Sequence, residues 1–182
     1  MKLIVAVCVV ALATVHVDAT VLIPAGLPEL VSEAHTIVEG SVVSADPRTE
    51  SGSRRVETLV TVAAVDYLKG NLGRRVTFRV PGGQIGFRRT VMIGAPVFRP
   101  GDRVILFLAG AAPSLPWIVG LNQGVYRVKT APRLTTGKWS EELQVTEDQP
   151  THVRSNATAS SVSLSLFKAR VRTLVRAGEG AR

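Results

Sequence analysis

The chain has 182 residues, a net charge of +8 and 46% hydrophobic residues, enough apolar material for one ordinary domain with its own core. Its one cysteine, Cys8, excludes an intrachain disulfide, and an aromatic content of 5% argues against a stacking platform for nucleic-acid bases. Charge informs solubility and association rather than fold, so the abundant arginines are read first as a solvated surface and only then as an attraction for anionic polymers.

Met1 to Ala19 has the pattern of a secretory signal. Lys2 gives the positive start, Leu3 to Ala13 the apolar core, and Val17-Asp18-Ala19 the small residues ahead of a cut before Thr20. Ala11-Leu12-Ala13 offers a rival cut after Ala13. The apolar run is short for crossing about 30 Å of hydrocarbon, so no stable membrane span is expected after cleavage. Val7 before Cys8 departs from a lipid-attachment box. The expectation is a secreted or periplasmic protein, of bacterial rather than animal type, with no cysteine left after cleavage and so no thiolate metal site or cysteine nucleophile. Three segments follow: a signal peptide over 1–19, a β-domain over 20–146, and a polar linker with a C-terminal helix packed on it over 147–182.

In chain order, Val21-Leu22-Ile23 reads as an edge strand or tucked arm, and Leu27 to Ala34 as a short helix. Pro28 suits its first turn, and Leu27, Leu30, Val31 and Ala34 form its apolar stripe. Thr36 to Ser44 is predicted as a strand, with Gly40 marking a bulge or bend, and 46–53 as a polar loop. A long strand follows from Arg54 to Leu68, with Val56, Thr58, Val60 and Val62 on one side. After Ala63-Ala64 its apolar phase shifts to Val65 and Tyr67, as a bulge would require. Arg75 to Val80 alternates, with Val76, Phe78 and Val80 inward.

Gly82 to Gly86 reads as a flexible connection and Thr90 to Ile93 as a short strand. Arg99-Pro100-Gly101-Asp102 is a turn with a solvated Arg103 behind it. Val104 to Leu108 is an unbroken apolar run, suited to a central strand covered on both faces. Trp117 to Val119 and Gly124 to Val128 are further strand candidates, 133–145 is ambiguous, and 147–159 is a polar linker. Ser163 can cap a last helix whose apolar face is Phe167, Val171 and Leu174, with Leu164 near its start. Lys168, Arg170, Arg172 and Arg176 are placed on its solvent faces, and Gly178 at its end.

The order LPELVSEA, IVEGSVVS, ETLVTVAAVDYLKG, VTFRV and FRPGDRVILFL resembles the five-stranded OB-type barrel of netrin-like modules and tissue inhibitors of metalloproteinases. In those proteins a leading helix precedes a V-x-G-x-V strand, a long strand ending in K-G, and a strand opening on G-D. Here Val38 to Val42, Val60 to Gly70 and Gly101 to Phe107 match those motifs, within a likeness spanning Leu27 to Leu108. The run VTFRVPGGQIG is also similar to exported bacterial proteins of unknown function. The resemblance implies a mainly β fold: a small five- to six-stranded OB-like barrel with a leading short helix and a C-terminal amphipathic helix. The inhibitors chelate a protease's zinc through a disulfide-held N-terminal cysteine, which a chain starting at Thr20 lacks.

Catalytic constellations are sparse. Gly82-Gly83-Gln84-Ile85-Gly86 is followed by strand-like residues, where a phosphate loop needs a helix, a lysine and a hydroxyl. His35 and His152 stand apart, short of the three or four ligands that zinc requires. Asp66 and Asp102 are isolated carboxylates, no G-x-S-x-G elbow occurs, and the sequon at Asn156 has meaning only in a eukaryotic host. The sequence therefore points to a monomeric, non-catalytic binding module without cofactor or metal. Its partner would be an exported protein or an anionic polymer, with no nucleic acid expected. A metalloprotease-inhibitor-like module and a small enzyme with an unreadable site are the alternatives. Arg88, Arg89, Trp117 and Tyr126, with Phe87, are the candidate ligand-binding residues.

Overall fold

A computed structural model describes residues 25–49, 53–110, 112–135, 138–148 and 161–180. The expected signal, the arm at 21–23, His152 and the sequon at Asn156 lie outside the described residues. Helix α1 (Leu27–Glu33) carries Pro28 in its first turn and buries Leu30 and Val31, as its stripe implies. Strands β1 (Thr36–Thr49) and β2 (Val56–Lys69) form a long antiparallel pair. Strand β3 (Arg75–Pro81) alternates as expected, with Val76, Phe78 and Val80 buried. A hairpin of β4 (Gly83–Ile85) and β5 (Arg88–Thr90) follows, then β6 (Arg103–Ala109) and β7 (Trp117–Ile118). After a 3₁₀ turn over Leu121–Gly124 come β8 (Val125–Thr135), β9 (Lys138–Glu147), β10 (Val162–Ser163) and helix α2 (Leu164–Glu179).

The main sheet has the order β1-β2-β3-β7-β6-β8-β9-β10, and β6 also pairs with β1. Strands β1, β2, β3, β7 and β6 thus return on themselves. Between β3 and β7 the closure rests on one parallel pair, Arg79 with Trp117, so the sheet closes only partly. The fold is mainly β, with a short helix at the start and a helix at the C-terminus, in line with the sequence. Val104 to Leu108 are fully buried and paired on both edges, the central position their unbroken apolar run predicts. Because side chains alternate across a strand, β6 feeds two apolar clusters. Ile105 and Phe107 pack with α1, α2 and Tyr126, while Val104, Leu106 and Leu108 pack with Val38, Val60 and Phe78 inside the ring.

Curvature comes from three register shifts between β1 and β2. The shift at Glu39/Gly40 leaves Val65 unpaired, so the bulge falls directly after Ala63-Ala64, where the apolar phase changes. Val65 itself points into water, while Tyr67 of the same phase packs on the cluster inside the ring and Leu68 is buried in the opposite cluster beneath the helices. Gly40 sits where a Cβ would lie 2.7 Å from the carbonyl oxygen of Ala63, a separation only glycine tolerates.

Several boundaries differ from the sequence reading. β1 runs through Pro47 to Thr49, where a loop was expected from 46. Among the described strands only β2 pairs with it there, since β6 stops opposite Ser41, so Pro47 occupies an edge that asks for no N–H. Gly82 to Gly86 is not a loose connection: β4 and β5 pair across it. Residues 91–93 extend no strand, whereas the ambiguous stretch 133–145 forms much of the β8–β9 hairpin. α2 continues through Gly178, because helix propensity costs only about 1 kcal/mol at a glycine near an end.

The largest correction concerns charge. Glu39 is fully buried, and its carboxylate accepts from Arg103 Nη2 at 2.5 Å and from Arg103 Nε at 2.8 Å. Lys168 of α2 pairs with the other Glu39 oxygen and reaches Asp66 Oδ2 at 2.8 Å. Arg172 joins the same Asp66 oxygen at 2.8 Å. Arg103 is therefore no solvated turn residue, and Lys168 does not occupy a solvent face. Both neutralise a carboxylate that β1 buries beneath α2. Ser163 Oγ accepts from Leu166 N at 3.4 Å at the start of this helix, the capping position read from the sequence.

Candidate binding site

Trp117 is held by an unusual local demand. Its ring lies against Gly110, where a Cβ would stand 2.5 Å from the ring carbon Cζ3, and Gly110 has a φ of 89°. Glycine at 110 thus serves both the turn and the seat of the indole. The neighbouring Pro116 carbonyl accepts from Arg79 N at 3.1 Å, which places Arg79 beside Trp117. The Arg79 guanidinium carbon then sits 6.0 Å from the indole centroid, within cation–π reach. Trp117 remains 43% exposed, so one side of this pair stays open to solvent.

The pair borders a cavity of about 340 Å³ whose walls include Arg55, Arg79, Pro81, Met92, Trp117 and Leu121. Glu57 also lines it, but Arg48 holds that carboxylate at 2.8 Å. A second cavity of about 480 Å³ shares Pro81, Gly82, Thr90, Met92 and Pro96 and adds Gln84, Arg89 and Phe98. These shared residues form a common wall between two hollows. Three hydrogen bonds fix the base of that wall. Gly82 N donates to Val56 O at 3.1 Å, Thr58 Oγ1 to Gly82 O at 2.7 Å, and Val56 N to Thr90 Oγ1 at 2.9 Å.

Of the predicted residues, Arg88 and Arg89 are exposed on β5 and Trp117 rims the first cavity. Arg88 pairs across the hairpin with Ile85 and Arg89 with Gln84, so the two guanidinium groups leave opposite faces. No carboxylate pairs with Arg55, Arg88 or Arg89 among the described residues. Tyr126 lies away from Arg88, Arg89 and Trp117. It is 5% exposed, with ring centroids 5.5 Å from Phe107 and 4.7 Å from Phe167, in the cluster beneath α2. Burial pushes its phenol far above the usual range, and the nearby Glu147 carboxylate adds to the shift. Phe87, at the other extreme, is fully exposed on the hairpin turn.

Arg55, Arg79 and Met92 went unread as site residues. The strict alternation of β3 already pointed Arg79 outward, but the contact with Trp117 spans a parallel pairing that no local pattern encodes. The isolated carboxylates have structural roles. Asp102 accepts from Arg99 N at 2.9 Å within its turn and from Arg127 Nη1 at 2.7 Å. Arg127 also donates to Asp148 at 2.7 Å and to the Val97 carbonyl, tying the 97–102 loop to β8. Among the described residues no three histidine, cysteine, aspartate or glutamate side chains gather closely enough to hold a metal ion. No family model, curated protein or solved structure matches this chain.

Proposed function

We propose that the protein is an exported, non-catalytic binding module that takes an anionic partner, an extracellular protein or polymer, in the groove beside Trp117. The observation that carries this reading is the Arg79–Trp117 pair at the mouth of an open cavity, with Arg55 on its wall and without a carboxylate partner among the described residues. An indole offers a flat apolar contact, and two guanidinium groups beside it select carboxylate or sulfate groups on whatever stacks there. Glu57 does not cancel this selection, because Arg48 already neutralises it.

Titration with a polyuronate, followed by calorimetry, tests the reading. Trp117→Ala and Arg79→Gln should each weaken binding by about tenfold or more, and affinity should fall as salt rises. Unchanged affinity in both variants would sink the assignment.

The pairing order β1-β2-β3-β7-β6-β1 supports the netrin-like reading of the sequence and so a second possibility, a metalloprotease-inhibitor-like module. Inhibition of a zinc endopeptidase at stoichiometric concentration would favour that reading, and lack of inhibition would leave the anionic groove.

A further inference from the structure

The tip of the β4–β5 hairpin is distinct from the groove and poses its own question. The chain has five phenylalanines, and Phe78, Phe98, Phe107 and Phe167 are all buried. Phe87 alone stands free, at 111% relative exposure. It occupies the second position of a two-residue turn whose first residue, Gly86, has a φ of 56°, as primed hairpin turns need. Ile85 and Arg88 flank it around a shallow hollow shared with Thr49. Ile93 is also exposed on the following segment.

Behind the phenyl ring the hairpin carries a cationic collar. Arg88 leaves one face and Arg89 the other, and neither has a carboxylate partner among the described residues. Hydrogen bonds linking Gly82 and Thr90 to Val56 and Thr58 of β2 anchor the base of the hairpin. An apolar tip with cations just behind it matches the layering of a lipid surface, where phosphates lie above the acyl boundary. A protein pocket could cover the ring, but it would need carboxylates on both sides of the hairpin to meet the two arginines. A bilayer supplies phosphates in every direction within its plane.

We propose that the Phe87 tip docks the protein on an anionic phospholipid surface, with the phenyl ring at the acyl boundary and Arg88 and Arg89 on headgroup phosphates. This docking does not depend on the reading of the Trp117 groove. Among the described residues no helix is long and apolar enough to cross a membrane, and the contact proposed is peripheral.

Sedimentation with vesicles tests it, using phosphatidylcholine alone and phosphatidylcholine mixed with phosphatidylglycerol. Protein recovered after export is compared with its variants, which share the remainder of the chain, so differences report on the tip. The protein should partition to the mixed vesicles and not to phosphatidylcholine alone. Phe87→Ala should lower partitioning about tenfold, by removing one buried aromatic side chain. Arg88→Gln and Arg89→Gln should lower it about fivefold each, the share of one cation near a charged surface. Leu166→Ser, which removes an exposed apolar group from α2 instead, should leave partitioning unchanged. Equal binding by Phe87→Ala, or no preference for phosphatidylglycerol, would overturn the proposal. So would a dimer in solution that Phe87→Ala abolishes, since the tip would then belong to a second copy of the chain.

Discussion

The two sides of this molecule treat apolar residues in opposite ways. Beneath the helices, Ile105, Phe107, Tyr126, Phe167 and Val171 interlock, and even a carboxylate, Glu39, is fully buried with cations brought to it. Along the 82–102 excursion, Phe87, Val91, Ile93 and Val97 lie largely in water, and Arg88 and Arg89, like Arg55 nearby, have no carboxylate partners among the described residues. Burial and pairing on one side, exposure and unpaired charge on the other, separate a region devoted to stability from one available for contact.

The sharpest break of that contrast is in the sealed region. Phe107→Ala should cost about 3–5 kcal/mol, and Leu106→Ala about 2–5, because both are fully buried on opposite faces of β6. Urea midpoints read both, and a silent Phe107→Ala would mean that α2 does not cover this face.

Lys168→Met and Arg103→Ala should each cost about 1–3 kcal/mol, since each leaves Glu39 with one cation in place of two. Thermal melts would separate this from the value of under about 0.5 kcal/mol typical of a solvated surface residue.

Acidity probes the same network. Burial pushes the Asp66 carboxyl up, but Lys168 and Arg172 outweigh it and hold the group below its usual range. A depressed carboxylate contributes stability above its unfolded pKa of about 3.9 and loses it as pH falls through the lower folded value. Lys168 behaves in the mirror sense. Burial pulls its ammonium down, Asp66 and Glu39 raise it overall, and its contribution is present below about pH 10.4 and lost as pH rises through the folded value. Melting temperature should therefore fall at both limits, and Asp66→Asn should flatten the acid limb. An unchanged acid limb in that variant would remove Asp66 from the docking of α2.

Effects are smaller at the open side. Gly110→Ala should cost about 1–2 kcal/mol from its positive φ, and it should displace the indole, so groove binding falls more than stability does. Thr90→Val removes the acceptor for Val56 N and should cost about 1 kcal/mol, with amide exchange at Val56 as the direct readout. Arg88→Gln with Arg89→Gln should change stability by less than about 0.5 kcal/mol, and a larger loss would show that this collar is structural.

The sequence by itself determined the elements whose cause is local. The unbroken run at 104–108 identified the central strand, the alternation at 75–80 oriented β3, and the phase change after Ala63-Ala64 located the bulge. The capping serine and apolar stripe of α2 were equally plain, because periodicity and capping chemistry are written within a few consecutive residues. Tertiary structure decided which charges are buried and which aromatics are free. Lys168 and Arg103 looked like surface residues until β1 and α2 brought Glu39 between them, across sequence separations of 64 and more. Tyr126 and Trp117 looked alike as candidates, yet packing against Phe167 sealed one while Gly110 and Arg79 propped the other open. Desolvation depends on what the fold lays over a side chain, and no local pattern contains the covering element.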